Sequence, residues 1–347
     1  MGLARSTYVK DGQEGVFHCF NRCVRRAFLC GFDHATQRDF SHRKALLLDR
    51  LRFLASVFAI EVCAYAIMEN HYHLILRLIP HLVAAWSDRD VAIRWLTLFP
   101  HRDRLTGQPL PPTELQIESL VSNSKRIEQL RKRLCSLSWF MGRLNEFVAR
   151  AANNEDNVKG RFWESRFKCQ ALLDEAAIAA CMVYVDLNPI RAGLSASPEE
   201  SDFTSIQERI RAWQKQREND ASGASSQVYS TNAASAGWLC PIQSDSNRRG
   251  ILQITADEYF DLVDQSGRML RSDKRGAIDA DLAPILLRIG ANPEAWIDTI
   301  SRFESRFRLA AGLLSSLRNF ADQIGRRWLA GLTSARTVFV TPAQQSV

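Results

Sequence analysis

The sequence predicts an α+β fold, and three observations predict it. Several segments alternate apolar and polar residues with a period of two, apolar residues recur at helical spacing between them, and one almost wholly apolar helix is followed by a proline. A chain of 347 residues with 46% hydrophobic and 24% charged side chains can bury a large core and has room for two or three domains. Global disorder and low-complexity fibre are excluded. The longest apolar stretch, from Leu54 to Met68, is broken by Glu61 and falls short of the roughly 18 residues that a bilayer span requires. No export signal opens the sequence, so a cytoplasmic location and no membrane partner are expected.

The elements follow in order. From Val16 to Asn21, Val16, His18 and Phe20 alternate with Phe17 and Cys19, as in a strand. After Ser41, a potential N-cap, Leu47, Leu51, Leu54 and Phe58 mark one face of a four-turn helix. Two strands, from Glu61 to Met68 and from His71 to Leu78, are joined only by Glu69 and Asn70, which makes a tight antiparallel hairpin. In the second strand Tyr72, Leu74, Leu76 and Leu78 form an apolar face, and His71, His73, Ile75 and Arg77 share the other. The apolar face is expected to pack against helices, which leaves both histidines on an accessible side. Residues 81–135, rich in proline and charge, read as a helical insertion. A helix from Ser136 to Ala152, a loop at Asn153 to Asn157 and a strand from Arg166 to Leu172 come next. Asp174 then caps the apolar helix from Ala176 to Leu187. Residues 218–248, rich in Ser, Ala and Asn, read as a linker, and 251–332 as a small helical C-terminal domain.

A net charge of +7 suggests a polyanionic partner, and its placement is informative. Arg22 and Arg25 follow the first strand, while Arg161, Arg166 and Lys168 interleave with Phe162, Trp163 and Phe167. Cations mixed with aromatic faces suit single-stranded nucleic acid, although a sheet strand can have the same composition. The eight cysteines are scattered without a CxxC pair and read as small buried hydrophobes.

Two constellations carry chemistry. His71 and His73, alternate residues of a strand, stand about 7 Å apart on one face, close enough to chelate one metal, yet two sheet histidines without a metal look the same. Tyr184 and Asn188 share a helix face with Ala177, Ala180 and Cys181, small neighbours that leave room for a substrate or simply pack a core tyrosine.

Met68-Glu69-Asn70-His71-Tyr72-His73-Leu74, the run Arg161 to Lys168, and Tyr184-Val185-Asp186-Leu187-Asn188-Pro189-Ile190-Arg191 together resemble the REP-associated tyrosine transposases over roughly residues 10–200. This family is related to small insertion-sequence transposases that act on single-stranded DNA. The resemblance implies a ferredoxin-like antiparallel sheet carrying the histidines beside a helix carrying the tyrosine. It implies His71, His73 and Asn188 as ligands of a divalent metal, Mg or Mn, and Tyr184 as nucleophile. The placement of charge and rings, taken with these motifs, marks Arg22, Arg25, Arg161, Trp163, Arg166, Lys168 and Arg191 as the expected contacts to single-stranded or hairpin DNA. Tyr72 stands where relatives have an aliphatic residue, and the insertion has no counterpart in the matched pattern.

The expected function is therefore a metal-dependent transposase, monomeric or a homodimer, that nicks and rejoins DNA through a 5′-phosphotyrosine. The rival is a regulator that keeps the fold and binds nucleic acid without catalysis. A zinc hydrolase is disfavoured because no HxxxH or CxxC supplies further ligands near His71 and His73.

Overall fold

The structure, a computed structural model, describes residues 3–10, 12–24, 30–33, 37–221, 236–271 and 282–340. Its centre is a five-stranded sheet of β1 (Gly15–Arg22), β2 (Ile60–Ile67), β3 (His71–Leu78), β4 (Lys168–Leu172) and β5 (Ala310–Ala311), in the order β2-β3-β1-β4-β5. Each of the first four strands is antiparallel to its neighbours among them, and β5 runs parallel to β4. With α1 (His42–Val57) and α6 (Leu137–Glu155) the chain order is βαββαβ, the ferredoxin-like arrangement. The expected all-antiparallel sheet is thus extended by one parallel strand from the C-terminal region.

The hairpin closes where the two-residue spacing requires, with Met68 N–H donating to the His71 carbonyl at 2.9 Å. The Tyr72 face of β3 packs under α1 and α6. Tyr72 donates its hydroxyl to Asn145 Oδ1 at 2.8 Å, and Leu47, Leu51, Leu54, Phe140 and Leu144 are fully buried there. Helix α6 extends through Glu155, so Asn153 to Glu155 are helical rather than loop; the turn comes at Asn157, whose φ is +50°.

The insertion folds as α2 (Pro80–Ala85), α3 (Asp88–Leu98), α4 (Glu114–Val121) and α5 (Ser124–Leu134). Capping boxes at Ser87/Asp90 and Thr113/Gln116 start α3 and α4. Val91, Ala92, Ile127, Leu130 and Leu134 join the core around α1 and α6.

The other sheet face is also covered, contrary to the accessible side the strand pattern suggested. Helix α7 (Glu175–Asp186), with Asp174 Oδ1 accepting from Ala177 N–H at 3.2 Å, lies across it. Every residue from Ala176 to Asp186 is buried, and the many alanines allow close approach to the sheet. The short α8 (Asn188–Arg191) follows a break at Leu187, as Pro189 demands.

After α9 (Ser205–Ala221), residues 236–248, inside the stretch read as a linker, rejoin the sheet: Leu239 and Cys240 are buried, and Cys240 N–H donates to the Val62 carbonyl at 2.8 Å. Residues 222–235 lie outside the described residues. The C-terminal helices α10 (Ala256–Arg271), α11 (Leu282–Arg288), α12 (Trp296–Arg306), α13 (Leu314–Gln323) and α14 (Leu332–Val338) share one hydrophobic core with the sheet, and α12 packs on α7. All eight cysteines are buried, and none forms a disulfide among the described residues. Among the described residues no helix is long and apolar enough to cross a membrane.

Candidate active site

Strand β3 places His71 and His73 opposite Arg22 and Phe20 of β1. Alternation along β1 adds His18 to the same face, and its ring stacks 5.1 Å from that of His73. The His71 ring meets His73 edge-on at 5.1 Å. From α7 above, the Tyr184 ring approaches His73 at 5.6 Å and His18 at 6.0 Å, both edge-to-face. The guanidinium of Arg191, one turn beyond the helix break, lies 4.4 Å over the Tyr184 ring and is held there by the Ser301 carbonyl at 2.8 Å. Sheet, helix and break therefore bring together five residues singled out in the sequence: Arg22, His71, His73, Tyr184 and Arg191.

A chain of hydrogen bonds fixes the imidazoles. Gln170 Nε2 donates to the Phe307 carbonyl, which can only accept, so its Oε1 must be the atom 3.2 Å from His18 Nδ1. His18 then carries its proton on Nδ1 and accepts at Nε2 from His73 Nδ1–H, 2.9 Å away. The consequence is that His73 Nε2 holds a free lone pair. His71 Nδ1 is likewise engaged, by Asn70 Oδ1 at 2.6 Å.

Burial, with the charges of Arg22 and Arg191 in second place, pulls His71 down to about 4. The same burial, aided by the neighbouring imidazoles, drives His73 well below the usual histidine range, and burial takes His18 to about 4. All three are neutral at pH 7. Tyr184 is only 5% exposed, and burial followed by the charge of Glu304 pushes its phenol up to about 12, against the opposing charge of Arg191. Its hydroxyl donates to Glu304 Oε2 at 3.3 Å.

Among the described residues no three His, Cys, Asp or Glu side chains converge on one metal position. The donor set fits a divalent ion only with an amide as third member. Asn188 is buried, and its Nδ2 has no hydrogen-bond partner among the described residues; an amide turned about would set its acceptor oxygen at that orphaned position. Two imidazoles and one amide oxygen suit a borderline or hard ion that keeps open positions.

The basic and aromatic run divides. Arg166 and Lys168 are exposed and line a groove of about 970 Å³ that also takes in Phe20, Arg308 and Glu304, so it reaches the carboxylate that holds Tyr184. Arg161 is exposed on an adjoining cavity of about 540 Å³. Trp163 lines the wall of that cavity but is only 8% exposed. It is buried, donates Nε1–H to the Asn145 carbonyl at 2.9 Å and meets Tyr72 edge-on at 5.5 Å, so the expected base-stacking surface is a core residue. Arg25 lies outside the described residues.

Sequence reasoning missed His18, Gln170 and Glu304 as parts of the site. The alternation of His18 with Phe20 carried a signal, since it implies the face of β1 that β3 shares. Glu304 had none, because it comes from a helix 120 residues downstream of Tyr184.

No protein-family model matches the chain, and neither does any curated protein. A solved structure described as that of a REP-associated tyrosine transposase bound to a REP hairpin matches 60% of this chain and 86% of its own, at 12% identity and a TM-score of 0.36. A likeness this distant assigns neither fold nor activity.

Proposed function

We propose that this protein is a metal-dependent transposase that cleaves and rejoins single-stranded or hairpin DNA through Tyr184. The observation that supports it most is the Tyr184 hydroxyl, donated to the Glu304 carboxylate beside His71 and His73, with Arg22 and Arg191 adding positive charge around it. Burial makes the phenol a poor nucleophile at rest, so the reaction needs both a base and concentrated positive charge.

Glu304 takes the phenolic proton as the tyrosine oxygen attacks phosphorus. The bond from phosphorus to the 3′ oxygen breaks, leaving a 5′-phosphotyrosine, and the departing 3′ oxygen gains a proton to become a hydroxyl. Arg22 and Arg191 neutralise the non-bridging oxygens. His71, His73 and Asn188 would hold the divalent ion, which supplies Lewis-acid polarisation of the phosphate. Because the phosphotyrosine conserves the bond energy, the 3′ hydroxyl of another strand can reverse the step without ATP. Arg166 and Lys168 hold the strand along the groove that leads to Glu304.

The test is incubation with end-labelled hairpin oligonucleotides and manganese or magnesium, read on denaturing gels. Wild type should give a protein-linked product, and Tyr184→Phe should give none while binding DNA normally. An adduct in that variant moves the nucleophile elsewhere. No adduct from wild type with either metal would leave the non-catalytic regulator as the better reading.

A further inference from the structure

On the far side of the sheet from Tyr184, α1, α6 and the end of α3 enclose a cavity of about 480 Å³. Four arginines line it, Arg50, Arg102, Arg143 and Arg150, and a single carboxylate, Glu146, faces them. Glu146 is shared between Arg143 and Arg150, at 2.5 and 3.5 Å. Arg50 and Arg143 each keep a buried Nε with no hydrogen-bond partner among the described residues. Burial and the neighbouring Arg143 both pull Arg50 below its ordinary value, against the opposing charge of Glu146.

The walls are aromatic as well as basic. Phe99 and Phe147 are each 37% exposed and line the same cavity. The Arg50 guanidinium lies 4.8 Å from the Phe147 ring, and that of Arg143 lies 5.6 Å from Phe99. An acidic polypeptide needs only the charge. Exposed rings between four guanidiniums that share one carboxylate suit a chain that carries a phosphate and a flat base at each step.

We infer that this cavity is a second binding site for single-stranded DNA, taking phosphates on its arginines and a base against Phe147 or Phe99. The choice of DNA over other such polyanions rests on the function proposed above; the charge and ring geometry stand without it. A strand held here and at Tyr184 must pass around the edge of the sheet, so the protein engages a longer stretch than the reacting site alone.

The experiment is fluorescence anisotropy of a labelled thirty-nucleotide oligo-dT over a range of KCl concentrations. The proteins are wild type, Arg102→Gln/Arg150→Gln, Phe147→Ala and Arg22→Gln/Arg191→Gln. The first pair is solvent-exposed, so its loss leaves the fold intact. Losing two phosphate contacts should weaken binding roughly tenfold and flatten the slope of log K against log salt by about 1.4. Phe147→Ala should weaken it about 5- to 140-fold through lost stacking. If the cavity variants match wild type while Arg22→Gln/Arg191→Gln weakens binding, the second site is overturned and the Tyr184 reading stands. If neither arginine pair changes affinity or slope, both fail. Polyglutamate that competes as well as oligo-dT would assign the cavity to an acidic protein and overturn the inference.

Discussion

Nε2 of His18 accepts a hydrogen bond from Nδ1 of His73 across 2.9 Å, and this pair decides which nitrogen of His73 is free. The tautomer is set from outside the strand, through Gln170 and the Phe307 carbonyl. Partners of this kind typically govern metal affinity by 10- to 100-fold without touching the metal.

His18→Ala should therefore raise the manganese concentration needed for half-maximal adduct formation by about 10- to 100-fold, with activity recovered at saturating metal. A metal titration of the adduct assay measures it. An unchanged requirement would show that the imidazole relay has no bearing on the metal.

Glu304→Gln keeps the shape and an acceptor oxygen for Tyr184 but cannot take its proton. Adduct formation should slow by about 10²- to 10⁴-fold, with DNA affinity unchanged, in single-turnover measurements. A rate within a factor of a few of wild type would rule out Glu304 as the base.

Trp163→Ala removes a buried indole from the contact between Tyr72 and Asn145. A loss of about 3 to 5 kcal/mol in urea unfolding is expected, as for other core aromatic truncations. A fully stable variant with weakened DNA binding would return Trp163 to the surface role its neighbours in sequence suggest.

Arg77 is buried in an ion pair with Glu61 and donates to the Gly250 carbonyl at 2.9 Å, so it ties the chain after residue 236 to β3. Arg77→Ala should cost about 1.5 to 3 kcal/mol by removing its charged hydrogen bonds to Glu61 and Gly250, with Glu61 still held by Arg248 at 3.0 Å. Hydrogen exchange should show the amides of Cys240 and Leu252 losing protection first.

Local pattern explains what could be read in advance. Alternation along β3 separated Tyr72 from His71 and His73, and both assignments follow from a period of two within one strand. The apolar run after Asp174 likewise gave a buried helix with Tyr184 near its end. Trp163 was misread because a short segment of mixed cations and rings has no period to say which side is buried. The packing of α12 on α7, and Glu304 with it, depends on contacts between segments more than a hundred residues apart, which no local spacing encodes.

The parallel pairing of Ala310 and Ala311 with β4 has a consequence for how the molecule is made. Asp174 Oδ2 accepts from Leu313 N–H at 2.6 Å across 139 positions of chain, so the edge of β4 stays unpaired until that distant segment has been synthesised. During translation the nascent protein exposes a bare strand edge, the kind of surface that recruits other chains. Truncation before residue 310 would make that transient hazard permanent, and such fragments should accumulate as aggregates rather than as a smaller soluble protein.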